Sequence, residues 1–152
     1  MSYQGSVLVV DDEIGPRESL RMILRPLYEV HTASDGQEAL KCIQNQPIDL
    51  VTLDLRMPGL SGMDVLKEIK KYNAEIDVIM ISAYGTKKDV QEAQTHGALG
   101  FIQKPFNAAE VVASIGKSVE QKKYKQKVKS LVETVKSLGF IKEDEIDKIL
   151  YN

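Results

Sequence analysis

The sequence predicts an α/β fold, a five-stranded parallel sheet doubly wound with helices on both faces. Two observations predict it. Short apolar runs bounded by turn residues recur at regular spacing, at Val7 to Val10, Tyr28 to Ala33, Leu50 to Leu53, Val78 to Ile81 and the shorter Phe101-Ile102. The segments between them have helical rather than alternating period, and strands that alternate with helices read as a parallel sheet covered on both sides. A length of 152 residues suits one domain with a real core and an appendage, and is too short for two ordinary domains.

Each element has its own signals. After the first strand, Pro16 suits the first position of a helix whose apolar stripe is Leu20, Ile23, Leu24 and Leu27, and Pro26 should end that helix at Leu24 or Arg25. Ser34 and Asp35 can cap the second helix. Val65, Leu66 and Ile69 mark the buried face of the third, and Gly97 can end the fourth. Asn107, after Pro105, can cap the fifth.

No breaker follows Asn107 until Gly139 apart from Gly116, which costs a helix only about 1 kcal/mol, so the fifth helix should run well past the sheet. Its first stripe is Val111, Val112, Ile115 and Val119. Gln121, Lys122 and Lys123 interrupt it, and a second stripe then runs Tyr124, Val128, Leu131, Val135, Leu138. Its steps of four and three residues make a heptad seam, suited to a short coiled coil or to a helix folded onto its own domain. Ile141, Ile146, Ile149 and Leu150 mark a last short amphipathic helix. The expected organisation is residues 1–120 as the folded domain and 121–152 as a helical extension.

Composition narrows the classes. Hydrophobic residues at 43% and charged residues at 28% are those of a soluble globular protein, and no apolar run approaches the roughly 20 residues that cross a bilayer. Met1 to Ser6 has neither a basic start nor a cleavage-like site, so a cytoplasmic location is expected. The single Cys42 sits in the apolar pattern of Ala39, Leu40 and Ile43 and reads as a packed thiol without chemistry. A net charge of −2 conceals an asymmetry, since residues 117–152 carry nine Lys against six acids. With Tyr124 its only aromatic, the cluster from Lys122 to Lys129 reads as a solvated helix face, and no direct nucleic-acid or membrane binding is expected.

In an open parallel sheet, ligands gather at the carboxyl ends of the strands. Here the first strand runs into Asp11-Asp12-Glu13, the third into Asp54, the fourth into Ser82 and the fifth into Lys104-Pro105. Carboxylates converging on one small region repel one another unless a cation or protonation relieves them. Oxygen-only ligands point to a hard ion, and Mg2+ suits one or two carboxylates combined with phosphate oxygens. A phosphoryl group arriving on Asp54, the acid that ends the central strand, would be neutralised by the metal, the Lys104 ammonium and the Ser82 hydroxyl. Taken singly, an Asp-Asp is more often a turn or a cap, a Ser a surface group and a Lys-Pro a loop. All four at successive strand ends favour a site. His31 and His96 have ordinary explanations, His96 as a favourable charge at a helix C-terminus.

Those residues resemble the response-regulator receiver family of two-component signalling: VLVVDDE at 7–13, LDLRMPG at 53–59, SAYG at 82–85 and FIQKPF at 101–106. The resemblance covers about residues 5–120 and implies a flavodoxin-like strand order of 2-1-3-4-5. It implies that Asp11, Asp12, Asp54 and the backbone carbonyl of Arg56 bind magnesium, and that Asp54 accepts a phosphoryl group from a phosphohistidine on a sensor histidine kinase. Ser82, the backbone amide of Ala83 and Lys104 would hold the phosphoryl oxygens. Ser82 and Phe101 would be the switch, Phe101 rotating inward on activation. Ser82 stands where many receivers have Thr and keeps the hydroxyl. Phe101 stands where Tyr is frequent, so the switch works by packing alone. The stretches DLRMPGLSGMDVL and AYGT are most similar to receivers of nitrogen-regulation-type transcriptional activators. No Gly-Lys-Ser/Thr phosphate loop or helix-turn-helix follows them.

The expectation is therefore a phosphoacceptor domain that changes only its own phosphorylation. Phosphorylation would remodel the face from the fourth helix to the fifth, and a homodimer through that face or through the C-terminal helix could carry the output. Two rivals remain, a magnesium-dependent phosphatase that forms an aspartyl phosphate on Asp54, and a pseudo-receiver that binds partners unphosphorylated. The first would need a lid and a substrate pocket, and no long insertion supplies them. The second would not need the full set of five site residues.

Overall fold

The structure, a computed structural model, describes residues 2–150, without the side chains of Ile149 and Leu150. Strands and helices alternate: β1 (Ser6–Val10), α1 (Ile14–Leu24), β2 (Glu29–Ala33), α2 (Gly36–Asn45), β3 (Leu50–Leu53), α3 (Gly62–Tyr72), β4 (Asp77–Ser82), α4 (Lys87–Thr95), β5 (Gly100–Gln103), α5 (Ala108–Ser137) and α6 (Glu143–Leu150). All five strands are parallel in the order β2-β1-β3-β4-β5, so β3 is central. The strand order is the flavodoxin-like one.

The near-continuous apolar strands follow from burial on both faces. Leu8, Val10, Val51, Leu53, Val78 and Met80 pack in one cluster with Ala39 and Ile43 of α2 and with Val65, Leu66 and Ile69 of α3. Their alternates Val7, Val9, Leu50, Ile79 and Ile81 face the other side, where Leu20 and Leu24 of α1 and Val111 and Ile115 of α5 are buried. Each such side chain contributes roughly 1.5–3 kcal/mol on leaving water. The edge strands β2 and β5 are less enclosed.

The caps largely follow the sequence signals. Asp35 accepts from the Glu38 amide at 2.8 Å while Ser34 donates its hydroxyl to Glu38 at 2.9 Å, and Asn107 accepts from the Ala109 amide at 2.8 Å. Gly97 closes α4 with φ +96°, a conformation that suits glycine. Pro16 is a correction: α1 begins at Ile14, so Pro16 is its third residue. The first four amides of a helix lack helical acceptors, which makes proline harmless anywhere in that turn.

The chain divides into two compact units between Gly116 and Lys117, inside α5. In the second unit Val132 and Ile146 are buried, Lys136 pairs with Glu143 at 2.9 Å, and Gly139 turns the chain with φ +80°. Tyr124, Leu131 and Leu138, which lie seven residues apart on the heptad seam, are 64–70% exposed. The Gln121-Lys122-Lys123 interruption of the apolar stripe does not interrupt the helix, because Lys and Gln are good helix formers. Of the residues expected to mark the last helix, Ile141 lies before it, Ile146 is buried within it, and the side chains of Ile149 and Leu150 fall outside the described residues.

Candidate functional site

The sheet register aligns the strand ends. The Asp11 amide donates to Ala33 at 3.1 Å and the Asp54 amide to Val10 at 3.0 Å, so both aspartates extend the ladder by one step beyond β1 and β3. The Lys104 amide donates to the Ser82 carbonyl at 3.0 Å, joining the ends of β4 and β5. Side chains 93 residues apart in sequence thereby meet. Lys104 Nζ lies 2.6 Å from Asp11 Oδ2 and 3.2 Å from Asp54 Oδ2, with all three groups largely buried.

Asp11, Asp12 and Asp54 each offer a carboxylate oxygen within 4.8 Å of the others, Asp12 from the exposed side. Against one ammonium, three carboxylates leave an excess of two negative charges. An all-oxygen set with that excess can hold a divalent cation. The Asp11 carboxylate is held by the Glu13 amide at 2.9 Å, and its carbonyl accepts from Arg17 at 2.8 Å. The Arg56 amide donates to Asp54 Oδ1 at 3.3 Å, which brings the backbone of Arg56 to the same spot.

The electrostatics are those of a crowded acidic pocket. Burial pushes the Asp54 carboxyl up; the Lys104 ammonium pulls it back and the Asp11 charge raises it again, with a net rise. Burial alone would lower Lys104, yet hydrogen bonding and charge from Asp11 and Asp54 outweigh it, so the ammonium is held above its ordinary range. Cys42, by contrast, is pushed up by burial and by Glu38, as expected of an inert packed thiol.

The remaining predicted residues surround this cluster. Ser82 is fully buried, and its Oγ accepts from the Tyr84 amide at 3.3 Å, with Ala83 between them. Phe101, paired in register with Met80, is half-buried against the core. His31 lies in β2 beside Glu29, 3.4 Å away, and His96 caps the C-terminus of α4. Neither belongs to the cluster.

Two glycines were not singled out by the sequence reading. A Cβ on Gly62 would collide with the backbone carbonyl of Asp54 and lie 2.6 Å from Leu55 Cα, so the start of α3 presses directly on the Asp54 peptide. The Gly62 amide also donates to the Leu55 carbonyl at 2.8 Å. Gly85 similarly abuts the Phe101 ring. Both fall within stretches that carry the family resemblance, but a glycine near a turn does not by itself reveal what its backbone touches.

Residues 7–116 match the family model for the response regulator receiver domain. The chain belongs to that family. It is 37% identical over 115 residues to the chemotaxis protein CheY of Bacillus subtilis (strain 168), covering 74% of this chain and 96% of CheY. It is also 37% identical over 114 residues to the transcriptional regulatory protein ZraR of Escherichia coli (strain K12), covering 74% of this chain but only 26% of ZraR. Among solved structures, NtrX from Brucella abortus superposes with a TM-score of 0.78 at 37% identity, over 84% of this chain and 30% of NtrX. The chain thus spans nearly all of one relative and about a quarter to a third of the other two. Likeness to CheY as well as to ZraR and NtrX makes it a CheY-like receiver without singling out the nitrogen-regulation type. Its receiver architecture and its Asp11, Asp12 and Asp54 cluster are consistent with phosphoacceptor chemistry. Among the described residues, no helix is long and apolar enough to cross a membrane.

Proposed function

We propose that this chain is the phosphoacceptor of a two-component system, with the receiver at residues 1–120, and that Asp54 takes a phosphoryl group from a phosphohistidine of a sensor histidine kinase. The observation that carries the reading is the convergence of Asp11, Asp12, Asp54 and Lys104 at the carboxyl end of a parallel sheet. In the step, an Asp54 carboxylate oxygen forms a bond to phosphorus as the phosphorus–nitrogen bond breaks, and the electron pair of that bond leaves on the imidazole nitrogen, which takes a proton from solvent.

Asp11, Asp12, Asp54 and the Arg56 carbonyl would hold Mg2+, which supplies charge neutralisation at the transferring oxygens. Lys104 already reaches Asp54 and carries a full charge, so it suits one phosphoryl oxygen; the Ser82 hydroxyl and the Ala83 amide suit the others. Drawing Ser82 toward the phosphoryl group would free space beside Phe101 and change the face formed by α4, β5 and the start of α5. A second copy of this chain, meeting that face or the exposed seam of Tyr124, Leu131 and Leu138 in the 121–152 extension, would read the change. The likeness to ZraR and NtrX supports a receiver similar to those of nitrogen-regulation-type transcriptional activators.

Phosphoramidate tests the chemistry, because its phosphorus–nitrogen bond mimics phosphohistidine. One phosphoryl group per chain, acquired with magnesium and abolished by chelation, is expected. Continuous release of inorganic phosphate at high turnover would indicate the phosphatase instead, and no adduct would indicate a pseudo-receiver.

A further inference from the structure

The loop between β4 and α4 carries Ala83, Tyr84, Gly85 and Thr86. Gly85 holds no side chain that could act, yet its position is sterically restricted. A Cβ there would fall inside the van der Waals radii of Cε1 and Cζ of Phe101, so the outer edge of the ring rests on the bare Gly85 backbone. Any larger residue would have to displace an aromatic ring, and a ring moves as one rigid plate about two torsions.

The same loop is tied to the candidate site one residue earlier. The Tyr84 amide donates to Ser82 Oγ at 3.3 Å, and Ser82 itself is fully buried beside Lys104. At its far end the loop is fixed by a capping box in which the Thr86 hydroxyl accepts from the Asp89 amide and Asp89 accepts from Thr86. A segment anchored at both ends can move only if one anchor yields. An open cleft lined by Arg56, Tyr84, Gly85 and Thr86 gives it room.

We propose that Gly85 is a positioning residue that seats the Phe101 ring and links the Ser82 to Tyr84 hydrogen bond to the ring's orientation. The linkage rests on the reading that a phosphoryl group on Asp54 draws Ser82 toward it. A Ser82 side chain that turns toward Asp54 carries Oγ away from the Tyr84 amide. The loop then loses its inner anchor, Gly85 shifts, and the ring loses its seat. A methyl group at this position would take the space that the ring edge fills, so the ring would have to shift.

Full-length protein labelled with fluorophenylalanine reports the ring directly by fluorine NMR. The chain has three Phe residues, and the Phe101 signal is the one that vanishes in Phe101→Leu. In Gly85→Ala the Phe101 signal should already be displaced before phosphorylation. Magnesium and acetyl phosphate should then move it by less than half the wild-type shift, although Asp54 still gains its phosphoryl group. A Phe101 signal in Gly85→Ala that superposes on wild type in both states overturns the proposal.

A double-mutant cycle checks the seat independently of phosphorylation. The thermal midpoint lost in Gly85→Ala should shrink by at least half when Phe101→Ala removes the ring, and should Gly85→Ala fail to fold, the double variant should fold. Additive losses, or a double variant that also fails, overturn the seat. If the wild-type chain takes no phosphoryl group, the reading of the site falls and the linkage with it, whereas a non-additive cycle leaves the seat standing.

Discussion

The strand-end region and the C-terminal extension are built by opposite rules. At the strand ends, charged groups are buried, Asp11 at 2% exposure and Asp54 at 5%, and each is held by named partners. In the extension, large apolar groups are exposed, Leu131 at 65% and Tyr124 at 70%. Burying unpaired charge costs several kcal/mol, and exposing a lone apolar side chain costs far less. The first region therefore stores electrostatic stress that a ligand can relieve. The second holds surface that a partner can cover.

Removing Lys104 should break the contrast most severely. Lys104→Ala leaves Asp11 and Asp54 without their shared ammonium, and about 3 kcal/mol of stability should disappear in metal-free buffer, read as a lower urea midpoint. Magnesium should return part of it. Gly62→Ala comes next: its methyl meets the Asp54 peptide, and a loss of about 1–3 kcal/mol together with slower phosphorylation is expected.

Asp54→Asn should act in the opposite direction. Burial raises the folded-state carboxyl above its ordinary value of 3.8, so the folded chain binds that proton more tightly than the unfolded one. The associated stability is fully present below that value and is lost as pH rises through the raised one. Asn removes the charge, so metal-free Asp54→Asn should melt a few degrees above wild type at pH 7 and show a smaller gain at pH 4. A gain that grows on acidification would contradict the assignment. In the extension, Leu131→Lys should change stability by less than about 0.5 kcal/mol, since the side chain is exposed, but should abolish any phosphorylation-dependent association seen by sedimentation.

The two regions also differ in how much of them could be read from sequence. Strands showed because burial on both faces demands apolar runs, and Asp54 was placed by the central position of Leu50 to Leu53. Lys104 was legible as a strand-end cation, but its shorter contact is with Asp11 rather than Asp54, a preference that spacing along the chain does not encode. Gly62 and Gly85 were not legible, because close backbone approach leaves no pattern in the chain. The helical period of the extension was clear, whereas the burial of Val132 was not, because Val132 lies off the heptad seam.

The most direct test of the central claim is the intact mass of the protein after incubation with magnesium and acetyl phosphate. The account expects a single phosphoryl group on the wild-type chain and none on Asp54→Asn. An unmodified wild-type chain, or a phosphoryl group that persists in Asp54→Asn, would contradict it.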